Sequence, residues 1–197
     1  MERKTEKGEM KNDTLLEKGM EILWSKGYNA TSINDIVEAA GVPKGSFYFY
    51  FKSKEDFTVK AIEKYFGTMF PPALEVLQNK SVSPKQRILD FYEFRSQVLK
   101  DELNCKMGCM ACNLASEMAE HNEEIRKAIE VKTQLVNTYI TEAVEEAQEY
   151  GEIDTTLNAA DLVAFLEDAG KGAMVTMKER NSAYPIDNFM SMVRKLI

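Results

Sequence analysis

The chain has 197 residues, 44% of them apolar and 29% charged, an ordinary globular composition that excludes disordered and fibrous classes. No apolar run approaches the roughly 20 residues that a membrane-spanning helix needs, and an odd count of three cysteines fits a reducing compartment better than a disulfide framework. The net charge of −7 does not exclude nucleic acid, because residues 1–54 carry 9 basic and 8 acidic side chains and the acidity belongs to the remainder; charges farther apart than a Debye length of about 8–10 Å are largely screened from one another.

Met1 to Asn12 is a mixed-charge polar stretch without the apolar segment of a signal peptide, which places the chain in the cytoplasm. From there apolar residues recur at three and four, the period of helices, and no alternating strand pattern is found. Leu15, Leu16, Met20, Leu23 and Trp24 trace one face of a first helix, about Asn12 to Lys26, ended by Gly27. Thr31 or Ser32 caps a short second helix with Ile33, Ile36 and Val37 inward, ended by Gly41. A third helix opens at Pro43 or its neighbour and runs through Phe51. Ser53, with Asp56 three residues on, caps a fourth that stops near Pro71 and Pro72.

Ser83, Pro84 and Gln86 form the next start signal. Its helix runs to about Lys100. A segment around Cys105 to Glu120 follows, then a long helix from about Asn122 to Tyr150 and another from about Asn158 to Glu179. Tyr184 and Pro185 break the chain before a last amphipathic piece, Asp187 to Ile197.

Three short helices with a glycine turn between the second and third are the layout of a helix-turn-helix, whose later helix enters the major groove of DNA. Lys44, Gly45, Ser46, Tyr48 and Tyr50 put a cation, bare backbone and three hydroxyls on or beside the start of the third helix, donors suited to phosphate oxygens. Phe47 and Phe51, four apart, would anchor that helix to Ile36 and Trp24.

The runs Gly27-Tyr28-Asn29-Ala30-Thr31-Ser32-Ile33, Asp35-Ile36-Val37 and Ala40 through Asp56 resemble the DNA-binding signature of TetR/AcrR regulators almost position by position. The resemblance implies that Thr31 or Ser32, Pro43, Lys44, Gly45, Ser46, Tyr48, Phe49, Tyr50 and Lys54 face DNA. Tyr50 stands where histidine is frequent and Phe49 where tyrosine is. It also implies an all-α protein divided into a helix-turn-helix domain, residues 1–52, and a helical effector-binding and dimerisation domain, residues 53–197. Its partners would be an operator duplex, a small-molecule effector and a second copy, with no membrane and no cofactor.

Dimerisation would use the last two long helices. Leu162, Phe165, Leu166, Ala169, Ala173 and Met177 form an apolar stripe with Gly170 and Gly172 beside it. A two-fold pair would present two recognition helices to grooves about 34 Å, or a small multiple, apart.

Cys105, Cys109 and Cys112 share one face if their segment is helical. Three readings fit. The thiols pack as small hydrophobes; one of them is a redox or electrophile sensor; or, with His121, they hold a metal. Gly108-Cys109, followed by Asn113-Leu114 and Glu117, is similar to a segment of electrophile-responsive family members, which points to Cys109, with Lys106 or Lys178 supplying positive charge. The apolar residues Ile125, Ile129, Leu135, Val136, Tyr139 and Ile140, with Phe91, Tyr92 and Phe94, line either a core or a ligand pocket. Glu142, Glu145, Glu146 and Glu149 read as a solvated face. With one histidine and no glycine-rich phosphate loop, the chain is not expected to be an enzyme.

Overall fold

The computed structural model describes residues 2–197, with side chains described from residue 11 onward, and it contains no strand among the described residues. Helix α1 (Glu2–Lys26) buries Leu15, Met20, Leu23 and Trp24 and ends at Gly27, whose φ of +82° suits glycine. It begins ten residues before the expected start at Asn12. Residues 2–11 are rich in Glu, Lys, Arg and Met, good helix formers, and adding turns to an existing helix is easier than starting one. Of the expected polar stretch, Met1 lies outside the described residues.

Helix α2 (Ile33–Ala39) and helix α3 (Lys44–Tyr50) meet at Gly41, and α4 (Lys54–Leu77) follows. The expected stop at Pro71 and Pro72 is wrong: α4 continues through both. Their missing amides leave the Gly67 and Thr68 carbonyls without helical donors. Both prolines are exposed, while Ala61 and Ile62 before them and Ala73 and Leu77 after them are buried, so packing on either side holds the helix together.

The N-terminal unit consists of the chain through Thr68 together with Met110–Val131. The latter stretch holds α6 (Met110–Met118) and the start of α7 (Glu123–Glu149), which Asn122 caps by accepting a hydrogen bond from the Ile125 amide at 2.9 Å.

The second unit, Met69–Cys109 with Lys132–Ile197, holds α5 (Pro84–Gln97), α8 (Ala159–Arg180), α9 (Tyr184–Leu196) and the rest of α4 and α7. The Ser83 hydroxyl caps α5 as expected, and the helix runs on into a π-helical turn, Val98–Glu102. Asn158 caps α8, and Asn181 closes it in the left-handed region with φ +46°. Pro185 opens α9 rather than breaking the chain, since a proline at the first helical positions forfeits no helical bond. Ile88, Phe91, Ile140, Val144, Val163, Leu166, Met177 and Met190 form the core. Leu135, expected inside, is 48% exposed. Glu146 also departs from the solvated face: it accepts from Lys80 at 2.6 Å and from the buried Arg87 at 2.7 Å, and these bonds hold its carboxyl below the usual range.

Of the α8 stripe, Leu162, Leu166 and Met177 belong to this core, whereas Phe165 points outward at 59% exposure. Phe165, Ala169 and Ala173 line an open groove with Phe189, Met192 and Leu196 of α9.

Candidate functional site

The turn before α3 is built by Gly41, whose φ is +64°, with the Val42 amide donating to the Val37 carbonyl at 3.0 Å. Pro43 then enters in an extended conformation as the cap residue of α3. Phe47 and Phe51 turn inward against Phe57, the three rings lying 5.0–5.7 Å apart. The side opposite that anchor is open. Pro43, Lys44, Gly45, Tyr48 and Phe49 are exposed, the last at 79%, while Ser46 and Tyr50 are half-buried. Nothing lies within 4 Å of the position a Cβ would take on Gly45, so the backbone there is bare. With no acidic residue in its first turn, α3 offers a helix N-terminus, an ammonium group and hydroxyls on one surface.

Ser32, not Thr31, caps α2. Its hydroxyl accepts from the Asp35 amide at 3.1 Å, and the Asp35 carboxylate accepts in return from the Ser32 amide at 2.8 Å. Lys26, 2.7 Å from Asp35, and then the Ser32 hydroxyl hold that carboxyl well below its usual range. Thr31 is buried, and its hydroxyl donates to the Gly27 carbonyl at 2.6 Å, so the expectation that it faces a duplex is corrected: only Ser32 of the pair is exposed. Lys54 is half-buried, its ammonium 3.9 Å above the Tyr28 ring, and burial lowers its pKa.

Tyr28 joins three elements, a role its sequence context does not announce. Its phenol donates to Glu55 at 2.7 Å on α4, and its amide donates to Glu117 on α6 at 2.7 Å. Burial and then Glu55 push the phenol pKa up, and the phenol's bond draws the Glu55 carboxyl down. The Asn29 amide also donates to Glu117, at 2.7 Å.

The cysteine segment is not one helix. Asn104 and Cys105 are left-handed, with φ +49° and +58°, Gly108 has φ +64°, and α6 starts only at Met110. Cys105 and Cys109 therefore lie outside the helix that carries Cys112, which corrects the shared face; none of the three is in a disulfide, and each is half-buried. Among the described residues no group of three or more His, Cys, Asp or Glu is placed to hold a metal, and His121 is exposed. Beside Cys109, the Lys178 side chain lies 3.7 Å from where a Cβ on Gly108 would stand. Arg95 forms a two-pronged pair with Glu167 at 2.6 and 3.2 Å; burial works against its charge, and Glu167, with smaller contributions from Tyr92 and Cys109, outweighs burial and raises its pKa.

Comparison with known proteins agrees with this fold over most of the chain. Residues 15–62 match the family described as bacterial regulatory proteins, tetR family, and residues 84–193 match the tetracyclin repressor-like C-terminal domain. The HTH-type transcriptional repressor DhaR of Mycobacterium sp. (strain GP1) is 31% identical over 91% of this chain and 88% of its own. The crystal structure of the reduced form of E. coli NemR superposes with a TM-score of 0.83 at 26% identity, covering 95% of this chain and 97% of that one. A regulatory protein TetR from Rhodobacter sphaeroides gives 0.85 at 28% identity over 92% and 96%. On both domain matches, the first of which contains the helix-turn-helix, and on the 31% identity to DhaR, the chain belongs to the TetR family of bacterial transcriptional regulators.

Proposed function

We propose that the chain is a cytoplasmic, non-enzymatic repressor that binds a near-palindromic operator as a homodimer and releases it when an electrophile or oxidant modifies Cys109. Residues 1–52 read the duplex, and residues 53–197 sense the effector and pair the subunits. The observation that carries the DNA reading is the two-sidedness of α3. Its inner face is fixed by fully buried rings, while Lys44, Gly45, Tyr48 and Phe49 are exposed on the other side. Ser32, Pro43, Ser46, Tyr50 and Lys54 complete the surface, the lysines and hydroxyls toward phosphate and Phe49 toward apolar base edges. Repression as the sign of regulation is supported by the relatives named transcriptional repressors, DhaR and NemR.

Cys109 is favoured over Cys105 and Cys112 because the Lys178 side chain lies against its neighbour Gly108, and nearby positive charge favours the reactive thiolate. The crystal structure of the relative NemR is of its reduced form, which supports redox sensitivity as a trait to test here. The groove between α8 and α9, with Phe165, Tyr184, Met192 and Leu196 exposed around it, supports the pairing of two copies through these helices.

Selection of duplexes from a random pool by the purified protein tests the reading. Recovery of an inverted repeat, with loss of the bound complex on alkylation of wild-type protein but not of Cys109→Ser, is expected. A pool that shows no enrichment contradicts the operator reading, and equal release from both proteins contradicts the assignment of Cys109.

A further inference from the structure

At the end of α1 the left-handed Gly27 turns the chain so that two successive amides, those of Tyr28 and Asn29, point to one place. The Glu117 carboxylate fills it, taking one amide on each oxygen at 2.7 Å. Consecutive amides of this kind form an anion-binding concavity, and charged acceptors make the stronger hydrogen bonds. The fit is close on the Gly27 side, where a Cβ would stand 2.8 Å from a Glu117 oxygen. The clasp is therefore built from both directions. A glycine makes room for the carboxylate, and the carboxylate accepts from two amides that lie just beyond the last turn of α1.

The same corner carries the rest of the Tyr28 assembly. The phenol is bound to Glu55 at the start of α4, and the Lys54 ammonium lies over its ring. Lys26 at the last turn of α1 is paired with Asp35 in α2. The orientation of α2, and through it of α3, is thus referred to one point on α6, a helix that begins at the residue after Cys109.

We infer that Glu117 is a positioning residue for DNA binding: by clasping the Tyr28 and Asn29 amides it fixes the helix-turn-helix to α6, without touching the duplex itself. The inference rests on the proposal that α3 binds DNA. Thermodynamic reciprocity gives it a second face. If the closed clasp favours the DNA-bound state, then bound DNA must favour the closed clasp.

Two measurements test it, using a duplex recovered by selection with the wild-type protein. In Glu117→Gln the carboxylate charge is lost at nearly constant shape. Affinity per folded molecule should fall about tenfold or more, the loss expected for charge-assisted bonds. The salt dependence of binding should stay as steep as in the wild type, since no phosphate contact is removed. Affinity within twofold of wild type, or a loss no larger than the unfolded fraction, would overturn the inference. Should that variant not fold, the wild-type protein alone decides: duplex should slow hydrogen exchange at the Tyr28 and Asn29 amides several-fold, and unchanged or faster exchange overturns the claim. A wild-type protein that selects no duplex marks failure of the DNA reading instead.

Discussion

Phe47 and Phe49 stand two positions apart on one short helix and do opposite work. Phe47 is fully buried among Phe51 and Phe57, and its truncation to alanine should cost about 3–5 kcal/mol of unfolding free energy. Phe49 is 79% exposed, so Phe49→Ala should change stability by no more than about 0.5 kcal/mol while weakening operator binding. Denaturant titration beside a DNA titration checks both. This division was legible in the sequence, because a spacing of four puts Phe47 and Phe51 on one helical face. The choice between Thr31 and Ser32 was not: either hydroxyl can cap, and only the fold shows that Thr31 reaches back to the Gly27 carbonyl. Cys109 makes a separate prediction. It should react with iodoacetamide at pH 6.5 faster than free cysteine, with Lys178→Gln slowing it, and a rate equal to that of free cysteine would contradict thiolate stabilisation by the lysine.

Helix positions were legible wherever burial alone decides, because apolar periodicity records it directly. They were misread where local chemistry and packing disagree. Proline chemistry argued for ending α4 at residue 71, but buried residues on both flanks carry the helix to Leu77. Regular spacing argued for one helix through Cys105, Cys109 and Cys112, but three left-handed residues unwind the segment before Met110. Two carboxylates at the starts of helices carry a pH consequence. Asp35 is held down by Lys26 and Ser32 and Glu55 by the Tyr28 phenol, so each is more acidic folded than unfolded. Stability from such groups is complete above their unfolded pKa values, near 4, and is lost as pH falls through the lower folded values. The unfolding temperature of the helix-turn-helix should hold down to about pH 5 and drop below about pH 4. In Tyr28→Phe, which frees Glu55, part of that acid-side loss should be missing. An acid limb identical in the two proteins would contradict the assignment to Glu55.

For the whole molecule, the all-helical plan was readable from periodicity and from the family resemblance, whereas the contacts that tie distant segments were not. Tyr28 and Glu117 are 89 positions apart, and no local pattern links them. The α8 stripe was half readable: periodicity finds its apolar positions but cannot say that Leu162, Leu166 and Met177 face home while Phe165 faces out. The outward set predicts the assembly. In a two-fold pair each patch meets its own copy, so one substitution is felt twice. Phe165→Asp should convert the proposed dimer to monomer in sedimentation velocity and lower operator affinity, with the helical content of each subunit retained.

The central claim is that the outer face of α3 holds the phosphate backbone of DNA. Its most direct test is the affinity for the selected duplex, measured across a salt series for wild type and Lys44→Ala. Each lysine–phosphate contact steepens the log–log salt slope by about 0.9, so loss of Lys44 from both subunits should flatten it by about 2, with thermal unfolding unchanged. A wild-type affinity indifferent to salt, or a Lys44→Ala slope equal to that of the wild type, would contradict the account.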